Sequence, residues 1–275
     1  MSKNRKKMVC LLMLLLLLAY ISFHLSNHSE LVRSENRTYT DPPTVFVHGY
    51  KGTYNSFNGM LNRFEYDYQW GHRALICKVT KNGNILVHGH IPYDAHRMFI
   101  QVIFENNRAS FQETSHWLSE VMHLLKEQYG IQNINIVGHS MGGIISTKFF
   151  LEHGHQLSYP KLEKLVTIGS PFRGIEQTSY FKVNSGRAAI DLKPGSKALQ
   201  KLWEESKHFP PEAKVLAIAG KGDQVVSIQS ALSLRKMIPP KNYQEKIVEN
   251  RQVTHSGLHE NREVDHLIGT FLWNE

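Results

Sequence analysis

Cysteine is nearly absent from this sequence. The chain has two cysteines among 275 residues, Cys10 and Cys77, and Cys10 lies in an apolar N-terminal stretch. Cys77 therefore has no cysteine to pair with in the rest of the chain, which excludes a disulfide framework. We expect Cys77 to be a small buried apolar residue. The protein must then depend on its own core, which a chain of this length can build as one large domain.

Long basic runs and metal-ligand patterns are also lacking. The formal charge is +8, but four of the basic residues precede residue 8, so the rest of the chain carries 8 minus 4, near +4. No cluster of Lys or Arg with interleaved aromatic residues occurs, so we expect no nucleic acid partner. Among the 16 histidines, His88 and His90 would share one face of a strand, but no third ligand follows at a recognisable spacing. We therefore expect neither a metal nor another cofactor.

The N-terminus has the pattern of a targeting segment. Four basic residues precede an apolar stretch of 16 residues, Met8 to Phe23, in the order typical of a signal peptide. The stretch is shorter than the roughly 20 residues that usually span a membrane, and no clear cleavage site follows it. We expect residues 1–25 to be a signal peptide or an N-terminal membrane anchor, with residues 26–41 as a linker. Both alternatives predict a protein outside the cytoplasm, secreted or held at the outer face of the membrane.

A G-x-S-x-G motif at residues 138–142 joins a predicted strand to a predicted helix. The apolar run before it indicates the strand, and apolar residues at helical spacing after it indicate the helix. A serine in this position sits on a tight turn at the carboxyl edge of a sheet, with its hydroxyl exposed. The flanking glycines leave room for such a strained backbone. The pattern predicts Ser140 as a nucleophile and the N–H of Met141 as an oxyanion donor.

Candidates for the other members of a catalytic triad follow Ser140 in the order acid, then histidine. A predicted buried strand, Lys214–Ala219, ends in Gly220-Lys221-Gly222-Asp223, so we expect the Asp223 carboxylate at the same edge of the sheet. His255 follows a short predicted strand and precedes the last predicted helix. In this arrangement His255 would take the proton of Ser140 while Asp223 fixes the imidazole tautomer.

Other residues compete for these two roles. Asp223 could be an ordinary turn residue, since Gly-Asp is typical of turns. Asp191 and Asp265 would then be the alternative acids, but neither follows a predicted strand. His259 competes with His255, and the position of His255 on the last strand–helix loop favours His255.

A predicted strand at Thr44–Val47 runs into His48-Gly49-Tyr50. Where a serine sits on such a strand–helix turn, a loop after another strand often supplies a second backbone N–H that donates to the oxyanion. The N–H of Tyr50 is the predicted donor, because the preceding glycine lets the chain come close. His48 could be taken for a catalytic base, but a histidine in this position is more often structural.

Strands alternate with helices along the chain, which predicts a mostly parallel sheet with helices on both faces. Asn82-Gly83 predicts a two-residue hairpin turn, and we expect this hairpin at the edge of the sheet. The alternation breaks after Gly174, so we expect a small cap insertion at about 175–212 with a short helix near 197–207. The cap is either a lipase-like lid or acyl-chain pocket, or a helix packed in the ordinary way against the sheet.

These motifs resemble those of the α/β-hydrolase superfamily over residues 42–275. Within it, the chain resembles the poorly characterised extracytoplasmic hydrolases of Gram-positive bacteria. The resemblance rests on a hairpin and on four motifs: VHGY at 47–50, GHSMGG at 138–143, TIGSPFRG at 167–174 and HSGLHEN at 255–261. It implies that Ser140, Asp223 and His255 form the triad, with Tyr50 and Met141 as oxyanion donors.

Two classes of function are compatible with this pattern. The leading hypothesis is a serine hydrolase outside the cytoplasm that acts on carboxylic esters of small molecules or lipids through an acyl-enzyme. The N-terminal segment would associate such an enzyme with the membrane, and amidase or transacylase chemistry could use the same triad. The alternative is a non-catalytic surface-binding module on a hydrolase scaffold. The complete set of Ser, Asp and His in chain order argues against that alternative.

Overall fold

The computed structural model describes residues 39–92 and 96–275, together with residues 13, 16–18 and 20. The leader predicted at 1–25 and the linker predicted at 26–41 fall mostly outside the described residues. In the part of the chain that the structure describes, no helix combines the length and the apolar character needed to cross a membrane.

Within the described residues, eight strands form one sheet in the order β3-β2-β4-β1-β5-β6-β7-β8. Every neighbouring pair is parallel except β2 with β3. The central strands are buried almost throughout because helices cover both faces of the sheet. The strands are β1 Thr44–Val47, β2 His72–Val79, β3 Ile85–Gly89, β4 Met98–Phe104, β5 Asn133–His139, β6 Lys161–Ile168, β7 Lys214–Gly220 and β8 Tyr243–Val248.

The helices divide between the two faces of the sheet and form two apolar layers. One layer contains the apolar stripes of α2 and α3, and the other contains those of α1 and α8. The predicted fold class is therefore confirmed. The helices are α1 Asn55–Asn62, α2 Phe111–Tyr129, α3 Met141–His153, α4 Tyr180–Val183, α5 Arg187–Asp191, α6 Lys197–Glu204, α7 Ile228–Ala231 and α8 Arg262–Trp273.

The hairpin of β2 and β3 lies at the edge of the sheet, as predicted, but its loop is longer than predicted. Thr80 and Asn84 close the loop through an N–H···O bond of 2.8 Å, and the N–H of Gly83 donates to Thr80 O at 3.0 Å. Three residues therefore lie between the closing pair, and the prediction of a two-residue turn was wrong. Gly83 takes the left-handed conformation with φ +85°, which a three-residue hairpin loop requires at that position.

The cap divides into two parts with different packing. Helix α6 turns Leu199 and Leu202 into the main core, in the way of ordinary helix packing. Helices α4 and α5 instead leave Val183 and Ile190 exposed, at 78% and 60% of their surface. The cap thus has a base, α6, that packs on the core, and a tip, α4 and α5, that exposes apolar side chains.

Candidate active site

Ser140 sits on a strained turn between the last residue of β5 and the first residue of α3. Its φ is +55° and its ψ is −127°, a region that residues with a Cβ rarely occupy. The N–H of Ser140 donates to Ile168 O at 2.8 Å, which ties the turn to the end of β6. The hydroxyl has no hydrogen-bond partner among the described residues and stays available to a substrate. This is the geometry of a nucleophile elbow.

Two glycines allow the loop after β1 to lie against this turn. A Cβ on Gly142 would stand 2.1 Å from Val47 O, and a Cβ on Gly49 would stand 2.8 Å from Ser140 Cβ. Neither distance is compatible with a side chain, so the close approach of the two segments depends on these glycines. The Gly49–Tyr50 backbone is thereby placed beside the nucleophile.

Asp223 and His255 form a direct pair at the same edge of the sheet. Asp223 Oδ2 lies 2.7 Å from His255 Nδ1, and the other carboxylate oxygen accepts the N–H groups of Val225 and Val226 at 2.9 Å each. The carboxylate is thus both a turn residue and the partner of the imidazole. Because Nδ1 donates to Asp223, and Nε2 of His255 has no partner among the described residues, Nε2 can accept a proton.

The end of β6 brings this pair close to the elbow. A Cβ on Gly169 would lie 3.1 Å from Asp223 Oδ2 and 3.3 Å from His255 Cε1. The preceding residue, Ile168, accepts the hydrogen bond from the Ser140 N–H. The structure therefore brings Ser140, Asp223 and His255 to one place, although they are far apart in the chain.

The two predicted oxyanion donors also meet here. A Cβ on Gly49 would lie 3.2 Å from the backbone nitrogen of Met141, so the loop that carries Tyr50 is adjacent to the start of α3. Within the described part of the chain, neither the Tyr50 N–H nor the Met141 N–H has an acceptor. Two unpaired N–H groups beside a candidate nucleophile are what an oxyanion hole requires.

The side chain of Tyr50 connects this loop to the cap. Its hydroxyl donates to Ser185 O at 2.6 Å and accepts the N–H of Ser185 at 3.0 Å. The neighbouring Lys51 Nζ donates to Asn184 Oδ1 at 2.5 Å. The loop that presents the Tyr50 N–H is therefore fastened to the segment between α4 and α5.

The alternative acids have structural partners. Asp191 accepts the N–H of Phe111 at 2.8 Å and so helps to cap α2. Asp265 is fully buried and forms two bonds with Arg63, Nε to Oδ2 at 2.5 Å and Nη2 to Oδ1 at 3.0 Å. Burial raises the pKa of Asp265 while Arg63 opposes that rise. Neither carboxylate forms a hydrogen bond or ion pair with a histidine among the described residues.

The alternative histidines are also engaged elsewhere. His259 pairs with Glu260 through Nδ1 and Oε1 at 3.1 Å, and burial lowers its pKa. His48 accepts the N–H of Phe104 on Nε2 at 3.0 Å and donates from Nδ1 to Gly49 O at 2.9 Å. Burial lowers the pKa of His48 to about 4, so it stays neutral. With both ring nitrogens bonded, His48 holds the loop that carries Tyr50.

His139 is a feature of the site that the sequence interpretation missed. Its Nε2 donates to the backbone oxygen of His255 at 3.1 Å. Its ring centroid lies 4.7 Å from that of His255 and 4.7 Å from that of His259. Burial, followed by the neighbouring histidines, lowers its pKa well below the usual value. The signal for this contact is tertiary, because in the motif His139 is only the variable residue before the serine.

The residues weighed as metal ligands do not form a site in the described chain. His88 and His90 lie at the exposed edge of the sheet. Among the residues that the structure describes, no group of three or more His, Cys, Asp or Glu side chains is placed to hold a metal ion.

Comparisons with known proteins agree with this architecture. The family described as "Alpha/beta hydrolase of unknown function (DUF915)" matches residues 32–275. The structure of the lin2722 product of Listeria innocua is 27% identical over 86% of this chain and 95% of its own, with a TM-score of 0.72. A "putative cell surface hydrolase" of Lactobacillus plantarum is 22% identical over 86% and 94%, with a TM-score of 0.70.

A more distant structure has the same fold. Lipase BlEst2 of Bacillus licheniformis, in its mature form, is 15% identical over 86% of this chain and 94% of its own, with a TM-score of 0.58. No curated protein matches the chain. The resemblance drawn from the sequence motifs is confirmed by the family match and by the first two structures.

Proposed function

The chain belongs to the family of α/β-hydrolases of unknown function (DUF915), and from that premise we propose that it is a serine hydrolase of carboxylic esters. One observation carries the proposal. A serine with φ +55° stands at a sheet edge beside a histidine that is bonded to a buried carboxylate at 2.7 Å. An isolated turn serine needs none of these neighbours, whereas a nucleophile needs all of them.

In the proposed reaction, Ser140 Oγ bonds to the ester carbonyl carbon as His255 Nε2 takes the hydroxyl proton. The carbonyl oxygen becomes an oxyanion and accepts the N–H groups of Tyr50 and Met141. The C–O bond to the alcohol then breaks, and His255 returns its proton to the leaving alcohol oxygen. Asp223 stays ionised throughout and stabilises the imidazolium.

A water molecule completes the cycle. It attacks the acyl-enzyme carbonyl while His255 Nε2 accepts one of its protons, and the second tetrahedral intermediate uses the same two donors. The bond from the acyl carbon to Ser140 Oγ then breaks, the proton returns to the serine, and a carboxylic acid leaves. If an alcohol or amine enters instead of water, the same residues perform acyl transfer.

Ester substrates and a location outside the cytoplasm are parts of this proposal. Acyl transfer through a serine suits a small-molecule or lipid ester, and the leaving alcohol needs only one proton. The location rests on the sequence of residues 1–25, in which basic residues precede an apolar stretch. A surface-binding module without catalysis is disfavoured, because it would not need unpaired N–H groups next to Ser140.

The test is labelling of the purified full-length chain with a fluorophosphonate, alongside hydrolysis of p-nitrophenyl esters of increasing acyl length. Ser140→Ala should abolish labelling and lower the rate by on the order of 10⁶. Ser170→Ala is the matched control, because Ser170 lies two residues after the end of β6, at the same edge of the sheet as Ser140, and its buried hydroxyl has no partner in the described chain. Labelling that survives Ser140→Ala would refute the assignment of the nucleophile.

A further inference from the structure

The cap tip, residues 180–193, combines exposed apolar side chains with positive charge. Val183 and Ile190 expose 78% and 60% of their surface. Lys182, Arg187 and Lys193 are exposed on the same segment. Apolar side chains among cations form the pattern of a protein surface that lies in a lipid interface.

Two further cations stand at the base of the tip. Lys51 reaches it through Asn184. The backbone oxygen of Arg108 accepts the N–H of Ala188 in the tip at 3.1 Å. A Cβ on Gly186 of the tip would lie 3.2 Å from the Arg108 Cβ. Both residues are exposed. The positive surface is therefore larger than the tip sequence alone indicates.

The carboxylates near the tip neutralise only part of this charge. Asp191 is half-buried and bonded to the N–H of Phe111. Glu113 pairs with Arg187 at 2.6 Å. Among the described residues, Lys182 and Lys193 have no carboxylate partner, and Lys193 Nζ lies instead over the Phe181 ring at 5.6 Å. Two lysines on the exposed apolar segment thus remain available to an anionic partner.

The tip also encloses a groove of about 390 Å³. Apolar and cationic side chains line it together, as a lipid headgroup and the start of an acyl chain would require. The lining includes Phe181, Ile190, Arg187 and Lys193.

We propose that the cap tip is a docking surface for an anionic phospholipid bilayer. Val183 and Ile190 would enter the boundary between headgroups and acyl chains, and Lys182 and Lys193 would lie at the level of the phosphates. The chain outside the described domain favours this occupant over a soluble partner. Its apolar stretch ends at Phe23, and the 18 residues from there to Asp41 can span at most about 60 Å. As an N-terminal anchor, this stretch would keep the domain within reach of the membrane.

The docked tip would bring the candidate site to the lipid surface. Ser185 of the tip is bonded to Tyr50, whose N–H is a proposed oxyanion donor, so the tip is linked directly to the site. The inference rests on the proposed function for the location of the domain and for the choice of a lipid ester as substrate. Lipid contact itself does not require Ser140 to be reactive.

A fluorescent reporter at the tip tests the docking. In a Cys10→Ser background, Val183→Cys is labelled with the dye NBD, and Leu157→Cys is the matched control. Leu157 is 83% exposed and lies between α3 and β6, near the amino ends of the strands, whereas Ser140 lies at their carboxyl ends. Cys77 should not react, because burial raises the pKa of its thiol to about 12. The full-length labelled protein is incorporated into vesicles of phosphatidylcholine alone or mixed equally with phosphatidylglycerol.

We expect the dye at position 183 to shift to the blue and brighten on the phosphatidylglycerol vesicles, while the dye at 157 does not change. Lys182→Gln with Lys193→Gln should weaken docking about 25-fold, since each lysine at an anionic surface contributes about fivefold. Raising the salt concentration should reverse the shift. An unchanged dye at 183, an equal shift at 157, or an equal response to both vesicle types would each overturn the proposal.

Hydrolysis of a soluble short-chain ester separates this inference from the proposed function. The lysine double variant should hydrolyse that ester at the rate of the unsubstituted protein, because neither lysine belongs to the site. Ester hydrolysis without a dye shift would refute the docking surface alone. A dye shift without reaction at Ser140 would refute the proposed chemistry and leave the docking surface intact.

Discussion

The contact between His139 and His255 yields the most discriminating prediction. His139 donates one N–H to the backbone oxygen of His255 and touches its ring. His139→Leu removes the donor while keeping an apolar side chain in the buried position. His139→Gln keeps the hydrogen-bond donor, because the amide nitrogen of glutamine extends about as far from the backbone as Nε2 of histidine. The two variants therefore separate the hydrogen bond from the filling of space.

The expected loss of rate follows from the role of this hydrogen bond in positioning the backbone of His255. An unpaired carbonyl costs about 1–3 kcal/mol, and a displacement of about 1 Å at a catalytic group can cost about 100-fold in rate. We therefore expect His139→Leu to lower kcat by about 10- to 100-fold, with KM unchanged because the ring is buried. His139→Gln should stay within a few-fold of the unsubstituted protein.

The assay is steady-state hydrolysis of p-nitrophenyl butyrate, with thermal unfolding measured on each variant so that rates are compared well below every melting temperature. His259→Gln serves as the control, because His259 touches the ring of His139 but bonds to Glu260 and not to His255. Equal kcat values for the leucine variant and the unsubstituted protein would refute the positioning role. A glutamine variant as slow as the leucine variant would show that the imidazole ring is needed, and not its N–H.

Three further predictions concern the acid, the ion pair and the thiol. Asp223→Asn should lower kcat on the same ester by about 10² to 10⁴, because an amide cannot stabilise the imidazolium; an unchanged rate would mean that another group supplies the charge. Asp265→Ala removes the fully buried partner of Arg63, which keeps only Glu260 and the His259 carbonyl, and should lower the free energy of unfolding by about 1.5–3 kcal/mol, while the folded variant retains its kcat; an unchanged urea midpoint would contradict this. In folded Cys10→Ser protein at mildly alkaline pH, a thiol reagent should not label Cys77, whereas it should label Cys77 fully after unfolding. Rapid labelling of the folded protein would show that the thiol is accessible.

Residues of the site that lie shortly after a strand could be predicted from the sequence. Ser140 and Asp223 each follow within a few residues of an apolar run, and parallel strands bring their carboxyl ends to one edge. His255 could be placed because the closing helix after it has a clear apolar stripe. In each case the signal is local, and the sheet topology supplies the rest.

Contacts between distant segments could not be predicted in this way. The bond from His139 to His255 joins residues 116 apart, and the bond from Tyr50 to Ser185 joins residues 135 apart. Neither leaves a periodic trace in the sequence. The loop of the β2–β3 hairpin was predicted too short for a different reason. The left-handed position that Gly83 fills occurs in both two- and three-residue loops, so the dipeptide does not determine the loop length.

The double attachment of Tyr50 matters to anyone who builds chimaeras from relatives of this protein. The main chain of Tyr50 belongs to the loop beside Ser140, and its phenol is bonded to the cap. The cap is therefore not an independent module. A graft that replaced residues 175–212 alone would put at risk the bonds between the Tyr50 hydroxyl and Ser185, which are one of the anchors of the 49–52 loop. The natural unit of exchange is discontinuous and comprises the cap together with that loop.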